Sequence, residues 1–182
     1  MSSLKAYLEP LGTIVGATPA ALYERQRACV RLGMLPKPIK GRGHGLAATP
    51  ETVAKLLLAM LGTDNLSETD DRVQRLAKAR SKTRCALTGK TTFVDAVEAI
   101  LQSEELAARV SAIEVNRQVM AATIRFDDAV SRFGRTPRDT GMNLQVTAKL
   151  PGFGVEVIAH DLAQIAAGEP LSQHIPFKSL PK

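Results

Sequence analysis

Residues 35–46 read LPKPIKGRGHGL, from Leu35 to Leu46. They place two prolines, three glycines and the cations Lys37, Lys40 and Arg42 between two segments with helical periodicity. Proline cannot continue a helix and pushes the residue before it toward extended backbone. Glycine lets the chain come close to a ligand with no Cβ in the way. Lysine and arginine neutralise phosphate. A connection with all three properties belongs at a surface that meets an anion, and the segments on either side of it decide the fold.

Upstream, Thr18 is a good N-cap and Pro19 suits the first helical position, where its missing N–H costs nothing. Helix is expected from Ala20 to Leu32, with Gly33 just past its end. Leu22, Cys29 and Val30, with Tyr23 and Gln26, form one side of it. Ala20, Glu24, Arg27 and Arg31 form the other, and Arg25 lies on the flank. Before it, residues 4–11 predict a short helix ending near Pro10 and Gly12. Downstream, Thr49, Pro50 and Glu51 open a helix that Gly62 closes. Val53, Leu56, Leu57, Leu58, Met60 and Leu61 cover so much of its surface that it reads as core.

Short helix, turn, basic helix, glycine-rich basic connection and buried helix is the order of a winged helix-turn-helix. In that arrangement the basic helix enters the major groove, where Arg27 and Arg31 reach base edges or nearby phosphates with Arg25 beside them. The connection is the wing, with Lys37, Lys40 and Arg42 on phosphates and His44 as a further donor. Three segments carry a resemblance: Tyr23-Glu24-Arg25, Gly33-Met34-Leu35-Pro36 and Gly41-Arg42-Gly43. Over roughly residues 10–62 they resemble the winged helix-turn-helix DNA-binding domain of MerR-type regulators and excisionase-like proteins. The resemblance implies double-stranded DNA as partner. It departs from the family in a longer stretch between Arg25 and Gly33 and in a wing without an aromatic residue. The second half has neither the family's long coiled-coil helix nor metal-binding cysteines. An arginine-bearing amphipathic helix joined by a glycine loop to a buried helix also occurs in many domains that bind no nucleic acid.

Charge supports an anionic partner for one half. Residues 1–90 hold 15 Lys/Arg and 7 Asp/Glu, a balance of +8, whereas residues 91–182 hold 9 and 11, a balance of −2. From Arg72 to Lys90 there are seven basic residues and no acid. This segment, following a helix opened by Ser67-Glu68-Thr69-Asp70, reads as the joint between halves, either a solvated tether or a second arm on the same polyanion. The longest apolar run, Val53 to Leu61, is too short for a bilayer, and Met1 to Pro10 does not resemble a secretory signal, so a cytoplasmic protein with no membrane contact is expected. Cys29 and Cys85 are too few for a disulfide framework and lack metal-ligand spacing.

In the second half, Thr92 caps a helix with Phe93, Val97, Ile100 and Leu101 inward, and Ser103 restarts it. SAIEVNRQVMAATIRF (111–126) reads as a strand bulged around Arg117 to Met120, and MNLQVTAKL (142–150) as a cleanly alternating strand. DDAVSRFGRTPRDTG between them reads as a loop. Pro151 to Gly154 breaks the strand, and Val155, Ile158, Leu162 and Ile165 mark a last helix ending at Gly168. The class is therefore α+β. The expected parts are a winged helix-turn-helix over 1–66, a basic helix and linker over 67–91, an α-α-β-β-α domain over 92–168 and an extended or disordered tail over 169–182. Two strands make a marginal sheet, which either the helices cover or a second copy of the chain completes, and a homodimer formed through the second half is the favoured expectation.

No catalytic, cofactor or metal site is expected. Gly89-Lys90-Thr91 has the end of a phosphate loop, but Arg84 stands where the earlier glycine is required. Asp127-Asp128 lacks a third acid, and His160-Asp161 has no nucleophile beside it. The expected function is a DNA-binding transcriptional regulator, of phage or mobile-element type. The alternatives are an architectural DNA-binding factor, such as an excisionase or a small packaging subunit, and a protein–protein adaptor with a basic face.

Overall fold

The computed structural model describes residues 3–37, 45–135 and 146–171. Through them run α1 (Leu4–Val15), α2 (Pro19–Arg31), α3 (Pro50–Gly62), a 3-10 turn at Leu66–Glu68, α4 (Thr69–Ala77), α5 (Phe93–Leu101) and α6 (Glu104–Ala108). Then follow β1 (Val110–Asn116), β2 (Ala121–Phe126), β3 (Ala129–Phe133), β4 (Thr147–Pro151) and α7 (Gly152–Ala167). Helices and an antiparallel sheet largely segregated along the chain make the class α+β.

Hydroxyl caps start the helices where the sequence puts them. Thr18, Thr49, Thr92 and Ser103 each accept from the backbone N–H three residues on, at Ala21, Thr52, Asp95 and Leu106. α1 overrides the expected stop at Pro10 and Gly12. Leu4, Tyr7, Leu8 and Leu11 are all buried on its inner face, which outweighs the one ladder bond Pro10 removes. Gly16, left-handed at φ 68°, ends it instead.

The second half holds four strands rather than two. The expected bulge around Arg117 to Met120 is a reversal of direction. Asn116 Oδ1 accepts from the N–H groups of Gln118 and Val119, and Met120 takes φ 52° before β2 pairs back on β1, Asn116 opposite Ala121. The stretch read as a loop after Phe126 turns at Asp127 and Asp128 and forms β3, with Phe126 opposite Ala129 and Ala122 opposite Phe133. β4 pairs antiparallel on the other side of β1, giving the order β3-β2-β1-β4, the spatial order of a Greek key. Residues 136–145, including the first four of the expected strand over 142–150, lie outside the described residues. Because one chain supplies four strands with helices against them, the sheet needs no second copy to complete it.

Register sorts the strand residues onto two faces. Ile113, Val115, Ala122, Ile124, Ser131, Phe133 and Leu150 point inward, against the helices. Thr123, Arg125, Arg132 and Lys149 share the opposite face. The segments expected as separate domains are packed on one continuous core. Leu4, Leu22, Leu57, Phe93, Ile113 and Ile165 all belong to it, and α3 touches α2, α4, α5, β1 and β4.

α7 begins without a connecting loop, because Pro151 ends β4 and caps the helix while Gly152 lies against the Val110 carbonyl. A Cβ at Gly152 would overlap that oxygen. Gly152→Ala is therefore expected to destabilise the fold by about 1–3 kcal/mol, the usual cost of overpacking, read as a lower urea midpoint with an unchanged slope.

Candidate nucleic-acid interface

α2 does not present the arginines that its sequence promises. Arg25 is 5% exposed, so it belongs to the interior rather than the flank of a groove-reading face. Its guanidinium donates to the carbonyls of Ala21 (3.2 Å), Thr63 (3.1 Å) and Asp64 (3.4 Å). Burial pulls its pKa down and nearby Asp64 works against that. Tyr23, expected on the buried side, is exposed instead. Arg27 is exposed and donates both bonds to Glu24, one turn back on the same helix, at 3.0 and 3.2 Å. Arg31 reaches across to α4 and grips Asp70 with two bonds, at 2.7 and 2.6 Å. That pairing holds the Asp70 carboxyl below its ordinary value. Glu24, Arg27, Arg31 and Asp70 together carry no net charge. Exposed ion pairs of this kind contribute little, so a phosphate could displace either carboxylate.

Of the expected wing, Lys37 is exposed and borders the undescribed stretch. Lys40, Arg42 and His44 lie outside the described residues. Ser3 and Ala47 form an isolated bridge beside it, which ties the start of α1 to the entry of α3.

A larger field of cations lies elsewhere. The segment after α4, read as a tether or an arm, is folded onto β3. Ser81 N donates to Thr91 O at 2.9 Å, Cys85 N to Lys90 O at 2.7 Å and Gly89 N to Cys85 O at 2.7 Å, so the loop closes on itself. Ala86 N donates to the Ser131 hydroxyl at 3.2 Å, and Gly134 N donates to Arg80 O at 2.9 Å. Cys85 anchors the loop in the core. Burial pushes its thiol up, but hydrogen bonds with Ser131 and Thr88 outweigh burial and bring it below its ordinary value. Cys29, buried without such a set of partners, is pushed up to about 12.

This anchoring turns the polar side chains outward. Lys78, Arg80, Lys82, Arg84 and Lys90, with Arg132 on β3 and Arg135 beyond it, are exposed and have no carboxylate partner among the described residues. Lys82, Arg84 and Arg132 line one groove with Ser81, Thr83 and Ser131. Arg132 could not be placed from a stretch read as loop. The signal for it was the alternation in AVSRF, where Ser131 and Phe133 face in while Val130 and Arg132 face out.

No group of three or more His, Cys, Asp or Glu that could hold a metal occurs among the described residues, and no helix among them is long and apolar enough to cross a membrane. Asp127 is paired with Arg109. No protein-family model matches the chain, and neither a curated protein nor a solved structure matches it.

Because Arg25 serves carbonyl groups inside the fold, Arg25→Ala is expected to lower stability by about 1–3 kcal/mol, the cost of stranding buried acceptors. At a temperature where the variant stays folded, its affinity for duplex DNA should equal that of the parent chain. Chemical denaturation and a DNA titration on the same preparation check both halves of this.

Proposed function

We propose that the protein binds double-stranded DNA mainly through the phosphate backbone, as an architectural or packaging-type factor does. One observation carries this reading. Among the described residues, most of the exposed cations without a carboxylate partner gather on the 78–90 segment and at Arg132 and Arg135, with only Lys5, Lys37 and Lys149 elsewhere, whereas the α2 arginines are paired or buried. Unpaired cations are what release counterions from a duplex, and they contact every sequence alike. Single-stranded nucleic acid fits less well, because its binding needs aromatic platforms. Among the described residues, the exposed aromatic side chains, Tyr23 and Phe153, sit on α2 and α7 rather than in this patch.

A sequence-specific regulator acting through α2 is the second reading. It is favoured by the exposure of Arg27 and Arg31 and by the small worth of the ion pairs that hold them. In that case the two side chains leave Glu24 and Asp70 for base edges.

Titration of two unrelated duplexes over a range of salt separates the readings. Backbone binding predicts a steep salt slope that is the same for both duplexes. Lys82→Ala and Arg84→Ala should each make the slope shallower by about one unit, while Arg27→Ala changes little. Loss of discrimination between duplexes in Arg27→Ala or Arg31→Ala would instead establish the regulator. No duplex binding at low salt would exclude both and leave a protein adaptor.

A further inference from the structure

The groove between the 81–86 segment and the edge of β3 carries more than charge. It encloses about 390 Å³ and straddles the edge strand, with Arg132 from one face of β3 and Ser131 from the other. No carboxylate lines it. The backbone N–H groups of Lys82, Thr83 and Arg84 meet no acceptor among the described residues. The segment bearing them is fixed on both sides, by Ser81 N on Thr91 O and by Ala86 N on the Ser131 hydroxyl. Ser131 is 7% exposed, and its hydroxyl accepts from Ala86 N, so it is engaged in holding the loop. The polar side chains left to line it are two guanidinium groups, one ammonium and the Ser81 and Thr83 hydroxyls, all able to donate.

We infer that this groove seats a single phosphate group. Resting on the reading of the patch as a polyanion surface, the inference names the chemistry at its centre. Phosphate offers three or four oxygens around one atom and takes paired bonds from arginine, which suits donors arriving from a loop on one side and a strand on the other. The seat fixes the register of the bound backbone, while Lys78, Arg80, Lys90 and Arg135 supply attraction around it. Ser131 is a positioning residue for the seat rather than a contact.

Amide NMR of the full chain, titrated with inorganic phosphate against chloride at matched ionic strength, tests this. The expected result is saturable shifts confined to residues 81–86 and 131–134. Arg132→Ala and Lys82→Ala should each weaken binding at least tenfold, whereas Lys78→Ala, the same charge change outside the groove, should leave it within twofold. Well-dispersed spectra of each variant establish that it is folded. Shifts that do not saturate, or equal losses in Lys78→Ala and Arg132→Ala, would overturn the seat and leave a diffuse field. If phosphate fails while duplex DNA still binds with a steep salt slope, the seat is wrong and the backbone-binding reading stands. If phosphate and adenosine monophosphate bind but a duplex does not, the seat stands, its ligand is a phosphomonoester, and the duplex reading falls.

Discussion

The structure depends on how the end of α3 is satisfied. α3 is apolar around most of its circumference and lies among α2, α4, α5, β1 and β4, so its last carbonyl groups point where water has little access. A guanidinium group from the second half meets them, and one from α2 meets the carbonyl groups just past the helix end. Arg117, in the β1–β2 turn, donates to Leu61 O at 3.0 Å and Met60 O at 3.4 Å and is paired with Asp64, while Arg25 arrives from α2 onto Thr63 and Asp64. Arg72 of α4 donates in turn to the Arg117 carbonyl. Cations at a helix carboxyl end are favoured by its partial negative charge, and here they also supply the hydrogen bonds that the ladder cannot. Arg117 holds the Asp64 carboxyl below its ordinary value, so this cluster stays charged through the neutral range. It fastens the helical half to the sheet at the point where the two could otherwise have been separate units.

That fastening limits what α2 can do. With Arg25 committed to the interior and Arg31 joined to α4, the outer face of α2 is close to neutral. The positive surface moves to the segment between α4 and α5. The closed loop there, anchored by Cys85 beneath and Ser131 beside it, carries its cations on a fixed frame rather than on a tether. A fixed frame matters for binding, because side chains already held apart in the free protein lose less freedom when a phosphate arrives.

Much of the fold was legible in the sequence. The threonine and serine caps, the all-round apolar pattern of α3 and the glycine after α7 are local signals, and they gave those helices nearly to the residue. The sheet was less so. Asn116 forms a turn through its own side chain and Met120 takes a left-handed conformation, and neither breaks the apolar alternation on which a hairpin and a bulged strand look alike. AVSRF is five residues next to two aspartates, too short for its alternation to stand out. The candidate site was legible as composition, in the seven basic residues from Arg72 to Lys90, but not as geometry. Which arginine is free depends on Glu24, Asp70 and the Thr63 and Asp64 carbonyl groups, and a wheel of α2 alone contains only the first of these. Lys40, Arg42 and His44, outside the described residues, leave the wing as an expectation from the sequence.

The central claim is that the duplex lies on the 78–90 segment and β3 rather than on α2. Hydrogen–deuterium exchange of the full chain, with and without a short duplex at low salt, tests it most directly. The account predicts slowed exchange over residues 80–90 and 129–135, with α2 unchanged. Protection confined to residues 19–31 would contradict it and put the recognition helix back at the centre of binding.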